Sequence, residues 1–337
     1  MPTALRGHVL LVCATVLLAT RMAPRASACD YTTMRDAAFN ERRDVHRLCV
    51  VARQDDAAAR AIHDRLSAWR STAASDLNVE ITRIDADDPQ ARWGDLGIPS
   101  APPEVPATVL AGWRTFEKQG FLIDHWEPGP VEADLAVILD SPARQAIARE
   151  VGRRVAVFLY IRGTDAGAGA ARAVIDATVK AWTDKWPVGF SVVEVDRSNP
   201  RERLIRSFTG VPDSGPDWLA VVFGRGKLLP PLVGPEIAEQ QLNEQLELVV
   251  QECTCTRSPS TLGVDLPMIW TSAMDAAFIP LKSEADAGQP TTRPATALPG
   301  AAAVGGVVVR RSLLAMVALA VVVAASIIVL ALRRRQA

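Results

Sequence analysis

The cysteines are the residues of this sequence best suited to chemistry, because thiolates are both nucleophiles and metal ligands. The chain of 337 residues has five of them. Cys253 and Cys255 stand one residue apart after an apolar helical segment, and Cys29 and Cys49 lie far away in sequence. Four arrangements are open: a structural crosslink from Cys29 to Cys253 or Cys255, a C-x-C redox couple, a four-cysteine zinc site, or free thiols.

Compartment and cysteine count favour the structural crosslink among these arrangements. Four cysteines remain once the predicted signal peptide is removed, and an even number in an exported chain is expected to form disulfides, so Cys29, Cys49, Cys253 and Cys255 are all candidates. Cys49 stands among β-branched strand residues, where a buried unpaired thiol is the alternative. The C-x-C spacing departs from the usual zinc spacing. A redox couple at Cys253 and Cys255 has only Arg257 nearby to stabilise a thiolate.

The remaining motifs indicate no cofactor and no metal. Gly167 and Gly169 in GTDAGAGAAR resemble a dinucleotide loop, with Asp196 as the acid at the end of the next strand. However, Arg172 replaces the third glycine, and a hairpin follows where a Rossmann unit would continue with parallel strands. His46, His63 and His125 do not lie in metal-binding spacings.

The N-terminal residues predict an exported protein. Residues 9–19 are an apolar run after a short basic start, and Ala26-Ser27-Ala28 supplies the small residues of a cleavage site. This pattern is typical of a signal peptide over residues 1–28. Export and a net charge of −1, with no basic block, argue against a nucleic-acid partner.

The C-terminal residues predict a membrane anchor. Residues 313–332, from Leu313 to Leu332, carry no charge and have the length of a spanning helix. Residues 333–337 form a short cytoplasmic tail, and residues 283–312, rich in Pro and Ala, form a tether. We therefore expect a single-pass protein with its body exported, in a bacterial periplasm or cell envelope.

The body repeats one order of elements. Strands are predicted at 46–52 and 79–84 around a helix at 56–72, followed by a hairpin of 107–112 with 121–126 and a helix at 131–139. The same order recurs with strands at 154–161 and 190–195 around a helix at 170–182. A hairpin of 218–223 with 227–233 and a helix at 237–250 complete it. The duplication predicts two α/β modules, each with a mixed sheet flanked by helices.

Residues 210–234, GVPDSGPDWLAVVFGRGKLLPPLVG, resemble the second half of a thioredoxin-fold domain, and Val105-Pro106-Ala107 is similar in the first copy. The resemblance implies domains at 29–152 and 153–256, with Pro106 and Pro216 in the cis-proline position. Residues 257–282 would be an apolar C-terminal extension. The family's C-x-x-C is absent, since the corresponding turns read ARQDDAAAR and IRGTDAGAGAAR.

These features favour a non-catalytic binding or scaffolding module of the cell envelope, with another exported or membrane protein as its partner. A thiol–disulfide oxidoreductase using Cys253 and Cys255 is the alternative, and a passive structural protein is a third interpretation. Binding predicts an exposed apolar groove near Pro106 or Pro216.

Overall fold

The computed structural model describes residues 33–281, apart from residue 103 and residues 115–116, 166–167 and 252–257. A short helix, α1 (Met34–Ala38), comes first. The first module has the elements β1 (His46–Ala52), α2 (Ala57–Thr72), β2 (Val79–Asp85), β3 (Ala107–Arg114), β4 (Gln119–Trp126), α3 (Glu132–Leu139) and α4 (Pro142–Glu150). The second module has the elements β5 (Ala156–Ile161), α5 (Ala170–Thr183), β6 (Phe190–Val195), α6 (Arg203–Thr209), β7 (Trp218–Phe223), β8 (Lys227–Leu228), β9 (Leu232–Val233) and α7 (Glu239–Val250). Strand β10 (Val264–Asp265) and helix α8 (Ser272–Ala276) complete the described chain.

The two sheets have the same strand order. The first is a four-stranded sheet in the order β2-β1-β3-β4, in which β1 and β2 are parallel and β3 and β4 are antiparallel. The second repeats it as β6-β5-β7-β8 and adds β10 beyond β8. These mixed α/β sheets flanked by helices are consistent with thioredoxin-like modules.

The second half of the hairpin in the second module differs from the prediction, which gave a single strand at 227–233. Strands β8 and β9 each have only two residues, and both pair with β7. Pro230 and Pro231 lie between them, and proline has no N–H to donate to a strand ladder. The two prolines therefore divide the strand.

Side chains along the central strands point alternately to the two faces of each sheet, so the core consists of separate clusters. Leu48 and Val50 of β1 and Val157 and Leu159 of β5 belong to one buried cluster, which lies between the two sheets and also contains Ile147 of α4. The side chains of β5 that point the other way, together with α5 and α7, form a second cluster. The shared cluster joins both modules, and the described residues between 33 and 281 belong to one compact unit.

The C-terminal extension, described here over residues 258–281, packs on both modules. Strand β10 pairs with β8 through Val264 and Leu228. Ile269 bridges Leu77 just before β2, and the Trp270 N–H donates to Asp76 O at 3.1 Å. The extension therefore adds a strand to the second sheet and closes one end of the first.

Candidate binding groove

The predicted cysteine site is described at one residue only. Cys49 lies in the middle of β1, is fully buried and is free, and its sulfur accepts a hydrogen bond from Thr82 Oγ1 at 3.0 Å. Burial raises the pKa of this thiol. Cys49, a predicted disulfide candidate, is therefore a buried free thiol in this structure. Cys29, Cys253 and Cys255 lie outside the described residues, so the crosslink and the redox couple stay predictions.

The two proline positions differ between the modules. The Val105–Pro106 bond is cis, and Pro106 immediately precedes β3. In the second module the residue immediately before β7 is Asp217. Among the described residues the only other cis bond is Glu127–Pro128, so the bond before Pro216 is not cis. Pro216 therefore stands one residue too early for the predicted position, which Asp217 takes.

The Asp217 carboxylate is held by four donors. It accepts hydrogen bonds from the Tyr160 hydroxyl at 2.9 Å and from the Gly163 N–H at 2.7 Å. The N–H groups at the start of α5 donate as well, from Gly169 at 3.0 Å and from Ala171 at 3.4 Å. The first N–H groups of a helix have no partners within it, and no side chain of Gly169 is there to cap them. Asp217, which immediately precedes β7, therefore caps α5 instead.

These bonds set the charge of the site. Burial alone would raise the pKa of the Asp217 carboxyl, but the hydrogen bonds outweigh burial and the pKa lies below its ordinary value. The partial positive charge of a helix N-terminus also favours an anion there. Burial and the hydrogen bond to Asp217 raise the pKa of Tyr160, which stays a neutral donor. An ionised carboxylate therefore occupies the start of α5.

An apolar groove opens beside Asp217. It is a cavity of about 370 Å³ between the first turns of α5 and the turn at Gly234–Glu236. We call it the α5 groove. Its apolar lining residues are Ala168, Ala170, Ala171, Val174, Pro216, Pro235 and Ile237, and its two carboxylates are Asp165 and Asp217. Asp165, Ala170, Pro216 and Pro235 are exposed, so the groove is open to solvent.

The first module has a different helix start. Asp56 caps α2 directly, and its Oδ1 accepts from the Ala59 N–H at 2.9 Å. The adjacent residues Arg53, Gln54 and Asp55 are exposed. Because this helix is capped by its own preceding residue, no carboxylate among the described residues near Pro106 reaches over to it as Asp217 reaches over to α5. The α5 groove lies in the second module, near Pro216.

A second polar cluster lies buried between the modules and the C-terminal extension. Lys227 Nζ lies 3.2 Å from Asp265 Oδ2 and 3.7 Å from Asp44 Oδ2. Asp44 and Asp265 also exchange bonds, each N–H donating to the other's carboxylate at 2.8 and 2.9 Å. His46 Nε2 lies 2.8 Å from Asp265 O, and Nδ1 accepts from the Trp113 N–H at 3.3 Å. These contacts fasten the extension, and we assign the cluster to stability.

No group of three His, Cys, Asp or Glu side chains is placed to hold a metal ion within the part of the chain that the structure describes. Asp196, the acid of the dinucleotide-like pattern, accepts from the Ser198 hydroxyl at 2.7 Å. It therefore ends β6 as an ordinary turn residue.

None of the helices described between residues 33 and 281 is long and apolar enough to span a bilayer. The predicted span at residues 313–332 lies outside the described residues.

Comparison with known proteins adds little. No protein-family model and no curated protein matches the chain. Among solved structures, the zinc-bound form of human ERp44 is 12% identical, with a TM-score of 0.22 over 66% of this chain and 59% of that chain. The NTD_N/C domain of alkylhydroperoxide reductase AhpF from Enterococcus faecalis is 13% identical, with a TM-score of 0.19 over 62% of this chain and 94% of that domain. These TM-scores are low, and the mixed α/β sheets flanked by helices are consistent with thioredoxin-like modules.

Proposed function

We propose that this chain is a non-catalytic binding module, exported and anchored through residues 313–332, whose α5 groove takes a segment of another exported or membrane protein. The observation that carries the proposal is the occupation of the α5 N-terminus by Asp217 beside an open apolar groove. The sequence at this helix start has no cysteine, so thiol chemistry has no nucleophile there.

The backbone around the groove limits how a partner binds. The Thr164 N–H donates to Gly215 O at 2.8 Å, and the Gly215 N–H donates to Thr164 Oγ1 at 3.0 Å. The Gly234 N–H donates to Asp217 O at 2.8 Å. These main-chain groups are already paired, so a partner gains affinity from apolar side chains placed in the groove.

Charge at the groove selects among apolar partners. Asp165 is exposed at its edge, whereas the Asp217 carboxylate is buried and already accepts hydrogen bonds from four donors. A basic residue beside the apolar one would therefore be attracted by Asp165, by up to about 1 kcal/mol at an exposed position. The favoured partner segment carries an apolar residue next to Lys or Arg.

Peptide binding to the full chain in detergent tests this function. The probes are labelled heptapeptides with a central Leu or Phe flanked by either Lys or Glu, measured by fluorescence anisotropy. Ala170→Trp fills the groove, and Ala173→Trp places the same side chain at an exposed position of α5 outside the lining. We expect at least tenfold weaker binding of the Lys-flanked probe in Ala170→Trp only. Equal affinities in the two variants would contradict the proposal.

A further inference from the structure

A second cavity lies where the two sheets and the C-terminal extension meet. It has a volume of about 330 Å³, and we call it the inter-sheet cleft. Its interior is formed by Phe121 of β4, Phe208 of α6, Trp218 of β7 and Leu262 of the extension. Phe208, Trp218 and Leu262 are only 5–6% exposed, whereas Pro230, Pro231 and Thr261 are exposed at the mouth. The cleft therefore has buried apolar walls and a mouth that is open to solvent.

A cavity of this volume and lining suits a small molecule. Ligand sites are commonly cavities of roughly 300–1,000 Å³ between domains, lined by apolar and aromatic side chains with a few polar groups. The Phe121 and Phe208 rings meet edge to face, with centroids 5.5 Å apart. An aromatic ligand continues such an arrangement, because rings attract one another in this geometry by about 0.5–1.5 kcal/mol beyond their buried area.

The charges at the mouth are paired with each other. Arg114 Nη1 donates to Glu117 Oε2 at 3.1 Å, and the guanidinium lies 5.3 Å from the centroid of the Phe121 ring. A charged ligand would gain little from this closed pair and would lose its own hydration on entering an apolar interior. The cleft therefore favours a neutral ligand.

The two threonine hydroxyls that line the cleft already donate their protons within the protein. Thr209 Oγ1 donates to Ile205 O at 2.8 Å, and Thr261 Oγ1 donates to Ser258 O at 2.7 Å. A hydroxyl that donates still offers lone pairs, so both can only accept a further hydrogen bond. A ligand that meets them must supply the donor.

We infer that the inter-sheet cleft is a binding site for a small neutral aromatic compound that carries one hydrogen-bond donor, such as a phenol or an indole. This site is independent of the proposed function, since its lining shares no residue with the α5 groove.

Photoaffinity labelling of the full chain tests the inference. Mapping the label to individual residues distinguishes binding in the cleft from adsorption to other hydrophobic segments or to detergent. The probe is a neutral phenyl diazirine with a hydroxyl group. We expect saturable labelling of peptides that contain Phe208, Trp218 or Leu262. Free 2-naphthol should compete at least fivefold better than its methyl ether, which has the same rings without the donor.

Two variants localise the label. Thr261→Trp blocks the mouth at an exposed position and should reduce labelling of the cleft peptides at least tenfold. Thr72→Trp puts the same side chain at an exposed position of α2, away from the cleft, and should leave labelling unchanged. Equal labelling in both variants, or equal competition by naphthol and its ether, would show surface adsorption and overturn the inference.

Discussion

Single buried polar residues hold the start of α5 and the junction with the C-terminal extension in place. Asp217 places a charge at the start of α5 and satisfies N–H groups that would otherwise have no partner. His46 and Asp265 pair main-chain groups where the extension meets both sheets. A buried donor or acceptor without a partner costs about 1–3 kcal/mol, so these residues cannot be exchanged without loss of stability.

Asp217→Asn should destabilise the protein by about 2 kcal/mol, because the amide offers one acceptor and a donor that faces other donors. Urea unfolding of the full chain measures the change. Asp184→Asn, at an exposed position after α5, is the control and should lie within about 0.5 kcal/mol of wild type. A similar loss in both variants would mean that the Asp217 bonds contribute nothing specific.

His46 should make the free energy of unfolding depend on pH. Burial lowers the pKa of its imidazole from 6.5 to about 4, helped by the charges of Arg43 and Lys227 and opposed by the Asp265 carbonyl and the Asp44 charge. Below pH 6.5 the unfolded chain takes up a proton that the folded chain refuses, so stability falls as pH falls. Between pH 7 and pH 5 the expected loss is about 2 kcal/mol.

His46→Gln should remove this loss of stability with falling pH, because glutamine takes up no proton in this pH range. The fold should be kept, since glutamine can still donate to Asp265 O and accept from the Trp113 N–H. Urea unfolding at the two pH values gives the difference between wild type and variant. Burial raises the pKa of Asp265, which makes acidification stabilising at that group, but this contribution is common to both proteins. His125→Gln, at an exposed position, should keep the wild-type pH dependence. An unchanged dependence in His46→Gln would contradict the assignment.

At the scale of the elements, the periodicity of apolar residues predicts the bounds of individual strands and helices. Strands β1, β6 and β7 run over the predicted residues, and α5 extends one residue beyond the predicted 170–182. Apolar alternation and helical spacing are properties of neighbouring residues, so the sequence contains them directly. The strand order then follows from the resemblance and the duplication.

Contacts between distant residues are what the sequence does not contain. Asp217 binds Tyr160 and Gly169, which lie 57 and 48 positions away, and no spacing rule connects them. Asp265 binds Asp44 across 221 positions, inside an extension that has no apolar periodicity. The one available signal was an aspartate directly before an apolar strand, which the nearby Pro216 obscured.

Two described residues that are close in sequence to the predicted crosslink are in contact. The Met34 N–H, five positions after Cys29, donates to Gln251 O, two positions before Cys253, at 2.9 Å. An extended chain covers about 3.4 Å per residue, which makes Cys29 and Cys253 reachable from this contact. We expect thiol mapping by mass spectrometry, with alkylation before and after reduction, to find Cys29 joined to Cys253 or Cys255.

Cys49 provides the internal control, since its buried thiol should be alkylated only after unfolding. A Cys253–Cys255 bond that opens in mild glutathione would instead support the redox alternative, because a strained disulfide is readily reduced.

At the scale of the whole molecule, the C-terminal extension joins the modules. Arg144 of α4, fully buried, donates to Pro267 O at 2.9 Å, and Arg43 donates to Met268 O at 3.0 Å. Asn78 binds the extension as well, donating to Leu266 O at 3.1 Å and accepting from the Met268 N–H at 2.9 Å. These three residues of the first module thus bind the extension, whose strand β10 pairs with β8 of the second module, and loss of its central contacts should affect both sheets together.

Asp265→Ala should therefore cost about 3–5 kcal/mol, because it leaves Lys227 buried without its nearest partner. Hydrogen exchange should show loss of protection at β8 and β10 and around Asn78, while α5 and α7 keep theirs. Asp275→Ala is the matched control in the same extension, since Asp275 is half-exposed and binds Trp270 Nε1 at 2.8 Å and Arg225 at 3.2 Å. It should cost about 1 kcal/mol. If Asp265→Ala affected only the second sheet, the extension would not be the segment that joins the two modules.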